Sequence, residues 1–388
     1  MSSIWEKLKY KQMKKIIVLG AGMIGSAIAI DLSSDYEVTV VDKDSHKLNP
    51  LKEGHSLRTI IADLSTEIKI QEMIIDYDLV IGSLPGFMGY KTLHSVISEG
   101  KDIIDISFLP QDTFKLDELA KENEVTAVVD CGISPGLSNI ILGYYNRLME
   151  IEEYRCMVGG LPFKKEWPFY YKAFFSPLDV IEEYTRPARI VKNGEVITVE
   201  ALSEPEIIEL PEVGKLEAFN TDGLRTLITT MKIPNMIEKT LRYPGHIDLM
   251  KMLRETGFFG KDEVNIRGDK VKPIELTSKL LFPYWKPDED EKEFTILNMI
   301  IKGNEDGKQK ELVYNLFDKF DEETKITSMA RTTGYTCTSV ARLILNGDFS
   351  RKGINPPEYI GAEPECYKKV MAMLKEKSVN IIFEERLI

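Results

Sequence analysis

Apolar residues follow two rhythms along the chain. Up to residue 130, short apolar runs alternate with stretches of helical period. The runs are Ile16–Leu19, Glu37–Val41, Leu57–Ala62, Asp78–Ile81, Asp102–Ile106 and Val125–Val129. Each is short, rich in β-branched residues and bounded by turn residues, so each reads as a buried strand. Helical patterns fall at Ser26–Leu32, at about residues 87–99, where Gly100 stops the helix, and at about 115–123. Strand, crossover helix and strand in repetition predict an α/β fold, a Rossmann doubly wound parallel sheet.

The rhythm changes after a helix at about residues 136–150. Strand-like stretches resume at Tyr154–Val158. In Arg189–Val199, Asn193-Gly194 separates two β-branched runs, a strong signal for a two-residue hairpin. Glu293–Ile301 and Glu311–Phe320 flank a second turn, Gly303 to Lys308. An α+β second domain with a mixed or antiparallel sheet follows from this pattern. Alternation in Glu293–Ile301 is imperfect, as in a strand apolar on both faces, and a homodimer contact there is expected. The helical period returns from Thr327 to Ile344, and the tail holds a helix near Cys366–Lys375 and a strand near Val379–Phe383. The domains expected are 1–145 for nucleotide binding, 146–325 for substrate binding and dimerisation, and 326–388 as a C-terminal segment.

Composition narrows the function. The net charge of -12 on 388 residues leaves no basic face for nucleic acid. No apolar run reaches the roughly 20 residues of a membrane span. Residues 1–12 are polar and mixed, without the apolar core of a signal peptide, and read as a lead or as sequence before an alternative start at Met13. Cys131, Cys156, Cys337 and Cys366 are widely spaced and form no Cys/His cluster, so no metal site or disulfide framework is expected, and a cytoplasmic location is the default.

The first strand ends in Gly20-Ala21-Gly22-Met23-Ile24-Gly25, and a helix follows at once. This is the strand, glycine turn and helix start of a dinucleotide site. Gly20 permits the turn, Gly22 lets a pyrophosphate approach the backbone, and Gly25 lets the helix lie close to the strand. The first helical N–H groups, at Met23 and Ile24, favour an anion. Asp42, 22 residues after Gly20, ends the second strand. Its carboxylate suits ribose hydroxyls and repels a 2′-phosphate, which favours NAD over NADP, with Lys43 beside it working the other way. The alternative for Asp42 is a solvated turn carboxylate. Asp63, Ser83, Leu84, Ser107 and the Asp130-Cys131-Gly132 turn all lie at strand C-termini, where such sheets bind ligands.

Beyond the last of these strands stands Val129-Asp130-Cys131-Gly132-Ile133-Ser134-Pro135-Gly136-Leu137-Ser138-Asn139. This loop resembles the one that follows the last Rossmann strand in the saccharopine dehydrogenase family. The likeness continues through Val158–Pro162, Tyr171–Pro177, Phe219–Leu224, Lys239–His246 and Arg331–Tyr335. Within the family the chain looks most like the lysine 6-dehydrogenase branch. The resemblance implies that the second domain is inserted, that the helix near residue 327 returns to the nucleotide-binding domain, and that the cleft lies between the two. One departure stands out. Saccharopine-forming members typically carry Asp before the Pro-Gly, where this chain has Ser134, which argues against a substrate with saccharopine's extra glutamate moiety.

The implied reaction is NAD-dependent oxidation of a lysine side-chain amine. The ammonium, with a pKa of about 10.4, loses a proton before the carbon gives up hydride, and the imine is then hydrolysed. A cation must hold the substrate carboxylate, and Lys172, Arg225 and Arg242 are the candidates. Arg225 is expected to open a helix after Asn220-Thr221-Asp222-Gly223. Asp222 either holds an ammonium or caps that helix. Asp130 either takes up the substrate proton or is a structural carboxylate under the Pro-Gly loop. Cys131 and His94 complete the catalytic candidates, each with a plain alternative: a packing residue and a surface histidine. Tyr171 and His246 fall in segments that the resemblance marks as substrate-lining. The aromatic series from Trp167 to Phe175 reads as core or interface. Two other readings stay open: a Schiff-base reductase of the saccharopine or carboxynorspermidine type, and a protein that senses NAD(H) without turnover.

Overall fold

The computed structural model describes residues 13–288 and 291–388. Residues 1–12, read above as a lead, lie outside the described residues. The chain forms two units: 1–129 with 340–355, and 130–339 with 356–388.

The first unit begins with β1 (Lys15–Leu19), β2 (Glu37–Asp42), β3 (Arg58–Ile61), β4 (Leu79–Gly82), β5 (Asp102–Asp105) and β6 (Thr126–Val128). Every predicted run is a strand, within one or two residues at its ends. Helices follow at Met23–Leu32, Ser45–His55, Glu67–Ile74, Gly86–Ser98 and Asp117–Glu122. The second and third of these lack a clear apolar period and were not expected. They are started locally, by the side chains of Asp44 and Thr66, which accept backbone N–H groups of His46 and Lys69.

The second unit starts at Asp130. Its strands are β7 (Glu150–Pro162), β8 (Ala188–Lys192), β9 (Glu195–Val199), β10 (Glu206–Leu210), β11 (Gly214–Asn220), β12 (Asn235–Arg242), the small hairpin β13 (Val264–Ile266) and β14 (Asp269–Val271), β15 (Glu293–Glu305) and β16 (Lys308–Lys319). Both predicted hairpins form. Asn193 and Gly194 take the positive φ values a tight turn needs, and so do Asp306 and Gly307 between β15 and β16. The helix Ser328–Leu345 then leads to β17 (Gly353–Asn355), in the first unit, and β18 (Ile381–Leu387) lies in the second. The segment after residue 326 is therefore divided: only 340–355 belong to the first unit.

The first sheet has the order β17-β6-β5-β4-β1-β2-β3, and all its pairs are parallel. From β1 the chain builds outward through β2 and β3, then crosses to β4 on the other side. The switch point thus falls between β1 and β4, the place where such sheets bind nucleotides. Ile17, Leu19, Val80, Ile103 and Ala127 lie in its core. The second sheet has the order β10-β11-β12-β7-β15-β16-β18, with β8 and β9 beside β12. It is mixed: β12 and β7 run parallel and the other pairs antiparallel. Phe219, Leu241, Trp285 and Phe294 lie in its core. In Glu293–Ile301, the stretch read as apolar on both faces, Glu293 to Leu297, Met299 and Ile301 are buried within the single chain, and Asn298 and Ile300 are half-buried.

Candidate active site

At the switch point of the first sheet the three glycines do three different things. Gly20 has φ +110, and a Cβ there would strike the Ser83 carbonyl. A Cβ on Gly25 would strike the Gly20 carbonyl and the Ser83 hydroxyl. Gly22 faces open space. Two glycines therefore permit close packing, and the third leaves room in front of the backbone. The helix Met23–Leu32 starts at Gly22 with no side-chain cap and no acidic residue in its first turn. Asp42 bends back to the turn: its Oδ2 accepts the Ala21 N–H at 2.8 Å and its Oδ1 the Asp44 N–H at 2.9 Å. Lys47 lies 3.9 Å away. Room, uncapped N–H groups and a fixed carboxylate suit a dinucleotide.

Of the other first-unit candidates, Ser83 and Leu84 flank Gly20. Ser107 is buried, and both its N–H and its hydroxyl donate to Asp105 Oδ1. Asp63 is exposed and accepts the Ser65 N–H. His94 is on the helix Gly86–Ser98, half-buried, with Nδ1 3.7 Å from Glu67.

In the second unit, two candidates placed in different roles turn out to be partners. Asp130 and Arg225 are both buried, with Arg225 Nη2 2.9 Å from Asp130 Oδ1 and Nε 3.1 Å from both carboxylate oxygens. Both have positive φ. No helix opens at Arg225, contrary to expectation; the nearest one, Leu227–Thr230, is a single turn. Asp222 consequently caps nothing. It is buried and accepts the Arg189 N–H, Nε–H and Nη2–H, a clamp supplied by β8. Cys131, beside Asp130, is a fully buried free thiol.

The remaining candidates are held within the second unit's core. Arg242 stacks over the Tyr171 ring at 4.5 Å and donates to Glu183 at 2.6 Å and to the Tyr184 hydroxyl at 3.2 Å. Burial opposes its charge, but Tyr184, Tyr171 and Glu183 outweigh burial and keep it protonated. His246 donates from Nδ1 to the Phe169 carbonyl and accepts the Tyr184 hydroxyl at Nε2. Burial, reinforced by Arg242, lowers its pKa to about 3, so the ring is neutral. Both ring nitrogens are engaged within the fold. Lys172 is buried, donates to the Lys286 carbonyl and lies 3.6 Å from Glu166.

A buried polar network under the Ser134-Pro135 turn was missed. The Ser138 hydroxyl donates to Ser134 Oγ at 3.1 Å, and Ser134 Oγ lies 3.4 Å from Cys156 Sγ. Asn139 donates to Glu358 Oε2 at 3.0 Å, and Thr230 to Oε1 at 2.6 Å. Glu238, on β12, is buried, and its Oε2 has no partner among the described residues. Burial raises its pKa to about 8, against the Ser134 hydrogen bond, which favours the ion. Its carboxyl fills the space where a side chain on Gly223 would stand. In sequence Glu238 looks like any polar residue of a strand; the sole hint is the glycine opposite, which only the fold brings near.

Comparison with known proteins agrees with this geometry. Residues 16–128 match the saccharopine dehydrogenase NADP binding domain, and residues 132–379 match the saccharopine dehydrogenase C-terminal domain. The chain belongs to the saccharopine dehydrogenase family. It is an oxidoreductase with a pyridine-nucleotide-binding domain. Saccharopine dehydrogenase (NADP(+), L-glutamate-forming) of Pyricularia oryzae is 23% identical over 323 residues, covering 78% of this chain and 70% of that one. Carboxyaminopropylagmatine dehydrogenase of Synechocystis is 20% identical over 389 residues, covering 91% of this chain and 94% of that one. Mouse alpha-aminoadipic semialdehyde synthase is 22% identical over 289 residues, covering 69% of this chain and 31% of that one. The solved structure of apo saccharopine dehydrogenase (L-Glu forming) from Saccharomyces cerevisiae shares the fold, with TM-score 0.76, 18% identity and coverage of 97% and 100% of the two chains.

Proposed function

We propose that this enzyme oxidises the side-chain amine of lysine or a close relative, with NAD as acceptor. The observation that carries the substrate reading is Ser134. At the turn where saccharopine-forming members typically present a carboxylate, this chain has an uncharged hydroxyl engaged by Ser138 and Glu238. The turn thus offers no charge for the ammonium of a second amino-acid moiety. Asp42 supports the choice of NAD, because its carboxylate is fixed beside the glycine turn by Ala21 and Asp44 and would repel a 2′-phosphate.

The bound dinucleotide supplies hydride chemistry at its nicotinamide ring. Gly22 and the uncapped N–H groups after it would hold the pyrophosphate, and Asp42 the ribose. The substrate ammonium must lose a proton before its carbon gives up hydride. The resulting imine takes up water and releases ammonia and an aldehyde. Glu238, whose acid form persists to about pH 8, can hold and release a proton at Oε2 near neutrality.

A second reading is a Schiff-base reductase joining an amine to a carbonyl compound. It is favoured by the near full-length match to the Synechocystis enzyme. An assay with purified protein separates the two. The lysine reading expects NADH from NAD and lysine alone. Turnover only when a carbonyl partner or a secondary amine is supplied supports the reductase instead.

A further inference from the structure

Glu238 is 3% exposed, and its Oε2 has no partner among the described residues. The titratable and charged groups around it are Asp222 and Arg225 from the segment after β11, Glu183 from the helix Pro177–Thr185, and Tyr154 and Cys156 from β7. Arg225 is paired with Asp130, Asp222 with Arg189 and Glu183 with Arg242. Glu238 is thus the acid of this group that holds no basic partner among the described residues. To change its ionisation in such a place it needs two things. A path must lead its proton out, and each ionic form must keep its hydrogen bonds.

Ser134 meets both needs. Its hydroxyl hydrogen-bonds to the Glu238 carboxyl, and Ser134 is itself half-buried, so it joins the enclosed carboxyl to solvent. The groups behind it can redirect their hydrogens. Ser138 Oγ stands 3.1 Å from Ser134 Oγ and 3.1 Å from Asn139 Oδ1, so its single hydrogen has two acceptors. Cys156 Sγ stands 3.4 Å from Ser134 Oγ, and either atom can donate. Burial pushes this thiol up to about 12, so it keeps its hydrogen. Asn139 is fixed, because its Nδ2 donates to Glu358 and its Oδ1 accepts the Gly136 N–H.

Two patterns follow. With Glu238 ionised, Ser134 donates to the carboxylate and accepts from Ser138. With Glu238 protonated, the carboxyl donates to Ser134, whose hydrogen turns to Cys156, while that of Ser138 turns to Asn139. Each hydroxyl hydrogen finds an acceptor in both patterns, and only hydrogens move. A carboxylate in place of the Ser134 hydroxyl could only accept.

We propose that Ser134 is a proton relay, the group through which the enclosed Glu238 gains and loses its proton. In turnover the proton comes from the substrate amine, a step that rests on the function proposed above. One N–H bond of the ammonium breaks and its proton joins the Ser134 oxygen, while the Ser134 O–H proton passes to the Glu238 carboxylate. The nitrogen keeps its electron pair, and one positive and one negative charge are cancelled. The neutral amine so formed is the species whose carbon gives up hydride.

The test follows the Glu238 proton with and without substrate. In the full chain, the C=O infrared band of a protonated carboxyl shifts on exchange into D2O, and the band lost in Glu238→Gln identifies this group. Exchange is timed after mixing, below the pH at which Glu238 ionises. Ser134→Ala is expected to slow it about tenfold or more, and Ser134→Thr, which returns a hydroxyl, to restore it. In turnover, Ser134→Ala is expected to lower kcat about a hundredfold with far less change in KM, and Ser134→Thr to recover it. Ser134→Val, isosteric with Ser134→Thr, makes the same comparison if the alanine variant does not fold. Exchange indifferent to the loss of the hydroxyl, or not restored by threonine, overturns the relay. Exchange that depends on Ser134 in a protein giving no NADH from lysine supports the relay and removes the lysine reading instead.

Discussion

Asp42 of the first unit and the acids in the core of the second are held in different ways. Asp42 sits at a strand end, its carboxylate accepting the backbone N–H groups of Ala21 and Asp44. In the second unit the acids are inside. Asp130 has a buried guanidinium, Asp222 is clamped by Arg189, and Glu238 and Glu293 are desolvated until their acid forms persist to about pH 8. The first arrangement fixes one carboxylate beside the glycine turn. The second stores charge and protons in the fold, where removing one partner disturbs the rest.

The largest difference should appear on removing one carboxylate from each unit. Asp130→Ala leaves Arg225 without its buried counter-charge and is expected to cost about 3–5 kcal/mol in urea unfolding. A loss below about 1 kcal/mol would mean that the pair is not buried as described.

The glycines sharpen the comparison within the first unit. Gly25→Ala forces a methyl against the Gly20 carbonyl and should lower the melting temperature clearly. Gly22→Ala meets open space, so it should leave the melting temperature nearly unchanged while weakening NAD binding in calorimetry. Equal effects on folding from both would remove the reading of Gly22 as a ligand-facing position.

Buried acids also give the second unit a pH signature. Glu238 and Glu293 have folded pKa values near 8, raised by burial from 4.5. The unfolded chain releases these protons first, so their contribution is full below pH 4.5 and is lost as pH rises towards 8. Glu238→Gln should flatten the fall in urea midpoint over that window. An unchanged slope would show that Glu238 is ionised in the fold.

A small effect on folding, about 1 kcal/mol or less, is expected of Asp42→Ala. Its effect should appear in binding instead, as weaker NAD affinity and less discrimination against NADP. Retained preference for NAD would take Asp42 out of the cofactor site.

The same contrast explains what the sequence disclosed. Gly20 to Gly25 and Asp42 obey local rules, since one turn and one strand end define the site, and the parallel sheet follows from repeated short runs. The Asn193-Gly194 and Asp306-Gly307 hairpins were legible for the same reason. The second unit's chemistry depends on distant partners: Asp130 meets Arg225 across 95 positions and Asp222 meets Arg189 across 33. No period or spacing announces such pairs, so Arg225 and Asp222 were assigned to a helix start that does not form. Glu238 was invisible because its burial is set by Gly223 and the Ser134 turn. His246 carries a sequence signal for placement, at the start of the helix His246–Glu255, but its hydrogen bonds to Tyr184 and Phe169 emerge only from packing.

The central claim is that hydride leaves the side-chain carbon of a lysine-like amine for NAD. It is tested most directly with lysine deuterated at the ε-carbon and unlabelled NAD, followed by mass spectrometry of the reduced cofactor. The account predicts one deuterium in the NADH, formed without any carbonyl partner. Reduced cofactor without deuterium, or none until a carbonyl compound is added, would contradict it.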